Sequence, residues 1–115
     1  MKKKQIIVPI LNDEYKVIVC FGTPEKIKKV LHQWGHKPAD VVLDNENRRG
    51  ICYHTFGCHP IIAMPRFPKT PQEIGTLTHE SVHAVADIMR MIEQDGAEEV
   101  YAHSVSAIVR KVLSI

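Results

Sequence analysis

The stretch from residue 70 to the end constrains this 115-residue chain more than any other. Thr70-Pro71-Gln72-Glu73 supplies a hydroxyl N-cap, a proline at the first helical position and a glutamate at the third, the capping-box arrangement that opens a long helix. Gly75 weakens the first turns. Leu77, Val82, Val85, Ala86, Met89 and Ile92 then form a core stripe that runs to Gln94-Asp95-Gly96, where glycine provides the stop. A last helix is expected from about Ala97 to Leu113, with Tyr101, Ala102, Val105, Ile108, Val109, Val112 and Leu113 as its apolar side.

The other half of the chain changes period. Ile6 to Leu11 and Tyr15 to Phe21 are rich in β-branched residues and flank the turn-prone Asn12-Asp13-Glu14, so they read as a hairpin. Thr23-Pro24-Glu25 has the cap, proline and early acid of a helix start. Ile27, Val30, Leu31 and Trp34 recur at helical spacing until Gly35, and Trp34 is expected to anchor the core. A short apolar triplet, Val41-Val42-Leu43, passes into the turn-forming run Asp44 to Gly50. Ile51 to Phe56 and His59 to Met64 read as two further strands joined through Gly57. Pro60 and Pro65 point to the second of these as an edge strand, open to an added peptide strand. The expectation is an α+β fold in one domain, residues 1–115, with a mostly antiparallel sheet packed on two C-terminal helices.

Composition excludes several classes. A hydrophobic content of 44% is enough for one core, and no segment is long enough to span a bilayer. The apolar run after Met1-Lys2-Lys3-Lys4-Gln5 is too short for a signal-peptide core. Cys20, Cys52 and Cys58 are odd in number and lack a disulfide spacing, which fits a reducing compartment and a cytoplasmic location. A net charge of +2 is too small to imply a nucleic-acid partner, and the lysines of the first third have only Tyr15, Phe21 and Trp34 nearby as stacking platforms. No membrane partner is expected.

The chemistry concentrates in His79-Glu80-Ser81-Val82-His83. Histidines four apart on a helix project from one face and can reach a single metal ion. Glu80, rotated by about 100° from His79, suits a general base that takes a proton from a water held by that ion. Asp87, four beyond His83, is a candidate to orient that imidazole. On the last helix, Glu98 points near the centre of the apolar side and Glu99 lies at its margin with His103, so either can be the third ligand. Cys52, His54, Cys58 and His59 have the residue types for a second metal site. Their spacing matches no common zinc module, and cysteines in half-buried strands are ordinarily small apolar fillers.

His79-Glu80-Ser81-Val82-His83 followed by Glu99-Val100-Tyr101-Ala102-His103 resembles the gluzincin pattern of zinc metallopeptidases, HExxH followed by a helix carrying Glu-x-x-Ala-polar. The likeness is to the very short single-domain kind: minigluzincins, phage-encoded metallopeptidase-like proteins and the ImmA/IrrE group. It is sharp over Pro71 to Val109, looser over the hairpin before it, and does not extend to Met1 to Asp44. It implies a small zincin-like domain with an edge strand over the cleft. It also implies zinc as cofactor, held by His79, His83 and Glu99, with Glu80 as general base and His103 in a supporting polar position. His103 stands where such proteins more often have Asn or Asp, and Ala84 to Asp87 replace the small residues that often follow the second histidine.

The resemblance implies hydrolysis of a peptide or protein substrate. The tetrahedral step calls for a second electrophile, with Tyr101, Tyr53, His54 and His59 as candidates and the substrate laid along His59 to Met64. The alternative is a zinc-binding domain of little or no activity that acts through protein binding in phage or prophage assembly or regulation. A retained Glu80 argues against that alternative, because a structural zinc site has no use for it.

Overall fold

The computed structural model describes residues 5–11, 13–37, 50–55, 57–91 and 98–115, with the side chain of Glu98 outside the description. Among these residues the order is β1 (Gln5–Ile10), β2 (Tyr15–Phe21), α1 (Pro24–Gln33), β3 (Ile51–Tyr53), β4 (Ile61–Met64), α2 (Pro71–Met91) and α3 (Glu98–Leu113). The four strands form one mixed sheet in the order β1-β2-β4-β3. β1 and β2 are an antiparallel hairpin, β2 and β4 run parallel, and β3 and β4 are antiparallel. The domain is therefore α+β with a mixed sheet.

Layering follows from which strands are apolar on both faces. Val17 to Cys20 and Ile61 to Met64 are buried throughout, as the two inner strands of a covered sheet must be. β1, an outer strand, alternates: Ile6, Val8 and Ile10 face inward, whereas Ile7 is 41 % exposed. Its outer position also accommodates Pro9, which has no N–H to donate. On one face, Val17, Val19, Ile62 and Met64 pack with Leu77, Val85 and Ile88 of α2 and with Ile108 and Val112 of α3. On the other, Ile18, Cys20, Ile61 and Ala63 pack with Ile27 and Leu31 of α1. Leu77 is fully buried where α2 meets the sheet. Leu77→Ala is expected to lower the unfolding free energy by about 2–5 kcal/mol in a urea titration, with m unchanged.

The edge strand is not the expected one. Among the described strands β4 lies inside the sheet, paired on both sides, and β3 is the outer strand beside it. Pro60 and Pro65 fall just outside the paired residues 61–64, so their missing N–H groups mark the strand ends without interrupting the ladder, and the Pro60 carbonyl accepts from Ile18 N–H. β4 therefore has no open side for an added peptide strand, contrary to the expectation for His59 to Met64. Several sequence expectations lie outside the described residues: Asn12 in the first turn, Val41 to Arg49, Phe56, and Ile92 with the Gln94-Asp95-Gly96 stop.

Both expected helix starts form. Thr23 caps α1, with Pro24 at its first position, and Gly35 ends that segment at φ 85°. Trp34 is half-buried against the α1-side core, and its indole N–H donates to Gln5 Oε1 at 3.0 Å. At α2, Glu73 N–H donates to Thr70 Oγ1 at 3.1 Å and Thr70 N–H donates to Glu73 Oε1 at 3.0 Å, a reciprocal capping box. Glu73 also accepts from Lys69 N–H and from the Arg66 guanidinium.

These donors, the Thr70 amide foremost, then Arg66 and the Lys69 amide, hold the Glu73 carboxyl down at about 2. Because this folded value lies below the ordinary 4.5, the contribution of Glu73 to stability is complete above pH 4.5 and is lost as pH falls toward 2. Thermal melts across that window should show wild type losing Tm faster with acid than Glu73→Gln, which should already melt lower at pH 7.

Candidate metal and substrate cleft

The stripe of α2 that meets the core is Leu77, Ser81, Ala84, Val85, Ile88 and Met89. Val82, expected in that stripe, is instead 40 % exposed. The difference is angular. Taking Leu77 as zero at 100° per residue, Ser81, Ala84 and Ile88 fall within about 40° of it, while Val82 lies about 140° away. By the same count His79 and His83 sit at about 200° and 240°, opposite the core, and Asp87 and Glu80 at about 280° and 300°, at its edge. α2 packs over β4 and β3, so this second edge faces the end of the sheet.

There the chain forms an open cleft of about 390 Å³ lined by Gly50, Ile51, Cys52, His54, Glu80 and His83. One wall is the edge strand and the residue that follows it; the other is α2. Burial pushes the Cys52 thiol up to about 12, helped by the negative charges of Glu80 and Asp87, so it stands as a neutral thiol. Cys20, buried in the core, is likewise pushed up to about 12.

His79 and His83 are brought together. Their rings meet edge to face with centroids 4.8 Å apart, and the two Nε2 atoms are 3.2 Å apart. Two imidazoles on one tetrahedral zinc at about 2.05 Å each have their nitrogens about 3.3 Å apart. The 3.2 Å contact is a hydrogen bond between the two imidazoles, and its length is close to that spacing.

Glu99 does not converge on them. It sits in the first turn of α3, 92 % exposed, with Oε2 3.5 Å from Nε2 of His103, which is 79 % exposed. Among the described residues no three His, Cys, Asp or Glu side chains are grouped to hold a metal ion. Of the three expected ligands, the structure brings His79 and His83 together and leaves Glu99 paired with His103. Tyr101 ties the same turn of α3 to α2: its hydroxyl donates to the Val82 carbonyl at 2.8 Å, next to His83. Burial raises its phenol above the ordinary range, partly offset by Arg90. Among the described side chains of α3, Ser104, Ile108 and Val112 are buried; Ala102, expected on the apolar side, is exposed, and Leu113 is 39 % exposed.

The remaining sequence candidates separate by face. Tyr53 is buried in the α1-side core. His59 lies against Trp34, its Nδ1 accepts from Lys16 N–H at 3.3 Å, and burial with Lys16 and His36 nearby lowers its pKa. The half-buried Cys58 contacts the Gly35 carbonyl, so it does not share a site with Cys52.

His54 opens into the cleft with Nδ1 3.7 Å from Oδ1 of Asp87. Asp87 is thus set against His54, not against His83 as the four-residue spacing suggested. Its Oδ1 is also 3.9 Å from Arg90 Nη2, and its Oδ2 is buried with no hydrogen-bond partner among the described residues. The signal that could have found this lies in the seven-residue spacing of Glu80 and Asp87, two helical turns along one side. Comparison with protein-family models, curated proteins and solved structures returned no match.

Proposed function

We propose that the chain is a zinc-dependent peptidase in which His79, His83 and Glu99 hold the ion and Glu80 is the general base. The observation that carries this reading is that Glu80 and His83 line one cleft with the sheet's edge strand, while His79 and His83 keep the nitrogen spacing of a shared tetrahedral ion. Zinc bound there would supply an acidified water and polarise the scissile carbonyl. Glu80 takes one proton from the attacking water on its carboxylate and returns it to the departing amine. β3, an outer strand among the described residues, would take an extended peptide by main-chain contacts independent of side-chain sequence and hold the scissile bond beside α2.

Part of this proposal is that Glu99 exchanges His103 for the ion. A zincin-like assignment of the α+β fold belongs to the same proposal. So does a cytoplasmic location, supported by three free cysteines; no helix among the described residues is long and apolar enough to cross a membrane. The partner is a peptide or protein, not nucleic acid.

One observation favours a second reading: His79, Val82 and His83 form an exposed helix face, as a zinc-stabilised protein-binding surface would. Such a domain, of little or no activity, would act in phage or prophage assembly or regulation. Elemental analysis of protein purified without added zinc, followed by a peptide-library assay, separates the two. About one zinc per chain with cleavage supports the peptidase. Zinc without cleavage supports the binding domain, and no uptake of zinc sinks both.

A further inference from the structure

Resting on the hydrolytic reading, we infer that His54 hydrogen-bonds the substrate carbonyl oxygen as negative charge builds on it, and that Asp87 is the positioning residue that holds its ring. Attack on a peptide carbonyl moves a charge onto that oxygen, and a fixed donor in the cleft stabilises it more than mobile water does. Four side chains have the chemistry, and the fold distinguishes them. The Tyr101 hydroxyl is spent on the Val82 carbonyl. Tyr53 is buried on the α1 side of the sheet, and His59 is turned to Lys16 and Trp34. Among the described residues, His54 is the one of the four that lines the cleft with Glu80 and His83.

Asp87 gives this placement its reason. A carboxylate only 13 % exposed, with Oδ2 buried and unsatisfied, is costly unless a proton-bearing group stands beside it. His54 Nδ1 at 3.7 Å and Arg90 Nη2 at 3.9 Å both stand beside its other oxygen, Oδ1. With Nδ1 on the Asp87 side, Nε2 is the ring nitrogen away from Asp87, and the half-exposed ring has room for a substrate to reach it. The ring donates from Nε2 to the carbonyl oxygen while Nδ1 keeps its 3.7 Å contact with Asp87 Oδ1. No bond is made or broken at His54; the proton transferred in the reaction passes through Glu80.

The test uses the full-length zinc-loaded chain and the blocked peptide that wild type cuts fastest in a fluorogenic library. His54→Ala is expected to lower kcat by about 10²-fold with KM within about twofold. His54→Gln keeps an N–H donor and should recover at least about tenfold of that loss. Asp87→Asn should lower kcat by a smaller factor. In the metal-free protein it should also shift the ring ¹⁵N resonances of His54, a readout independent of activity. Zinc content should stay at the wild-type level in all three. Wild-type kcat in His54→Ala, equal losses in the Ala and Gln variants, or a change confined to KM would overturn the assignment. Unmoved ¹⁵N resonances in Asp87→Asn would overturn the positioning role. If wild type cuts no more than Glu80→Gln, the hydrolytic reading itself has failed and this inference with it, an outcome distinct from an active enzyme indifferent to His54.

Discussion

Glu80→Gln is expected to leave zinc content and melting temperature at wild-type levels while lowering peptide hydrolysis by about 10²–10⁴-fold. The amide keeps the shape and hydrogen-bonding reach of the carboxylate but cannot take a proton. Position 80 is half-buried at the core edge of α2 and faces the cleft, about 100° around the helix from His79, so the change should not disturb the ion. Elemental analysis and a steady-state cleavage assay on the same preparation check it. Loss of zinc together with activity would mean that Glu80 is a ligand and that the division of roles along α2 is wrong.

His83→Ala should remove zinc from the purified protein outright. His79 and His83 supply two of the three proposed ligands, and the remaining pair cannot hold a tetrahedral ion against competing chelators. Both histidines are exposed on the side of α2 away from the core, so the loss should come with little change in the stability of the metal-free fold. Glu99→Ala should lower zinc affinity far more than Glu98→Ala in a chelator competition. The reverse order would transfer the ligand role to Glu98, and equal small effects would remove α3 from the site. In that case the arrangement in which Glu99 pairs with His103 would be the one that persists with metal present.

Local patterns in the chain determined much of the fold. The hairpin of β1 and β2, the start of α1 at Thr23-Pro24 and the capping box at Thr70 and Glu73 depend on residues within a few positions of each other, where backbone sterics and single hydrogen bonds decide. The meeting of His79 and His83 is local in the same sense, since one helical turn separates them. Glu80 also declares its direction relative to its neighbours by angle alone.

Only the tertiary structure decided which strand is the edge, because the parallel pairing of β2 with β4 joins segments some forty residues apart and leaves no mark in either. It also decided which side of α2 is buried. Val82 and Val85 are equally apolar, and the sheet selects the side that Ser81 and Ala84 fit closely, leaving Val82 in solvent. The same choice turned Glu80 and Asp87 toward β3 and set Asp87 against His54, a contact between residues far apart in the chain. Side chains within one turn are placed by the helix itself; those that meet across elements are placed by the packing of whole faces, which no short stretch of sequence contains.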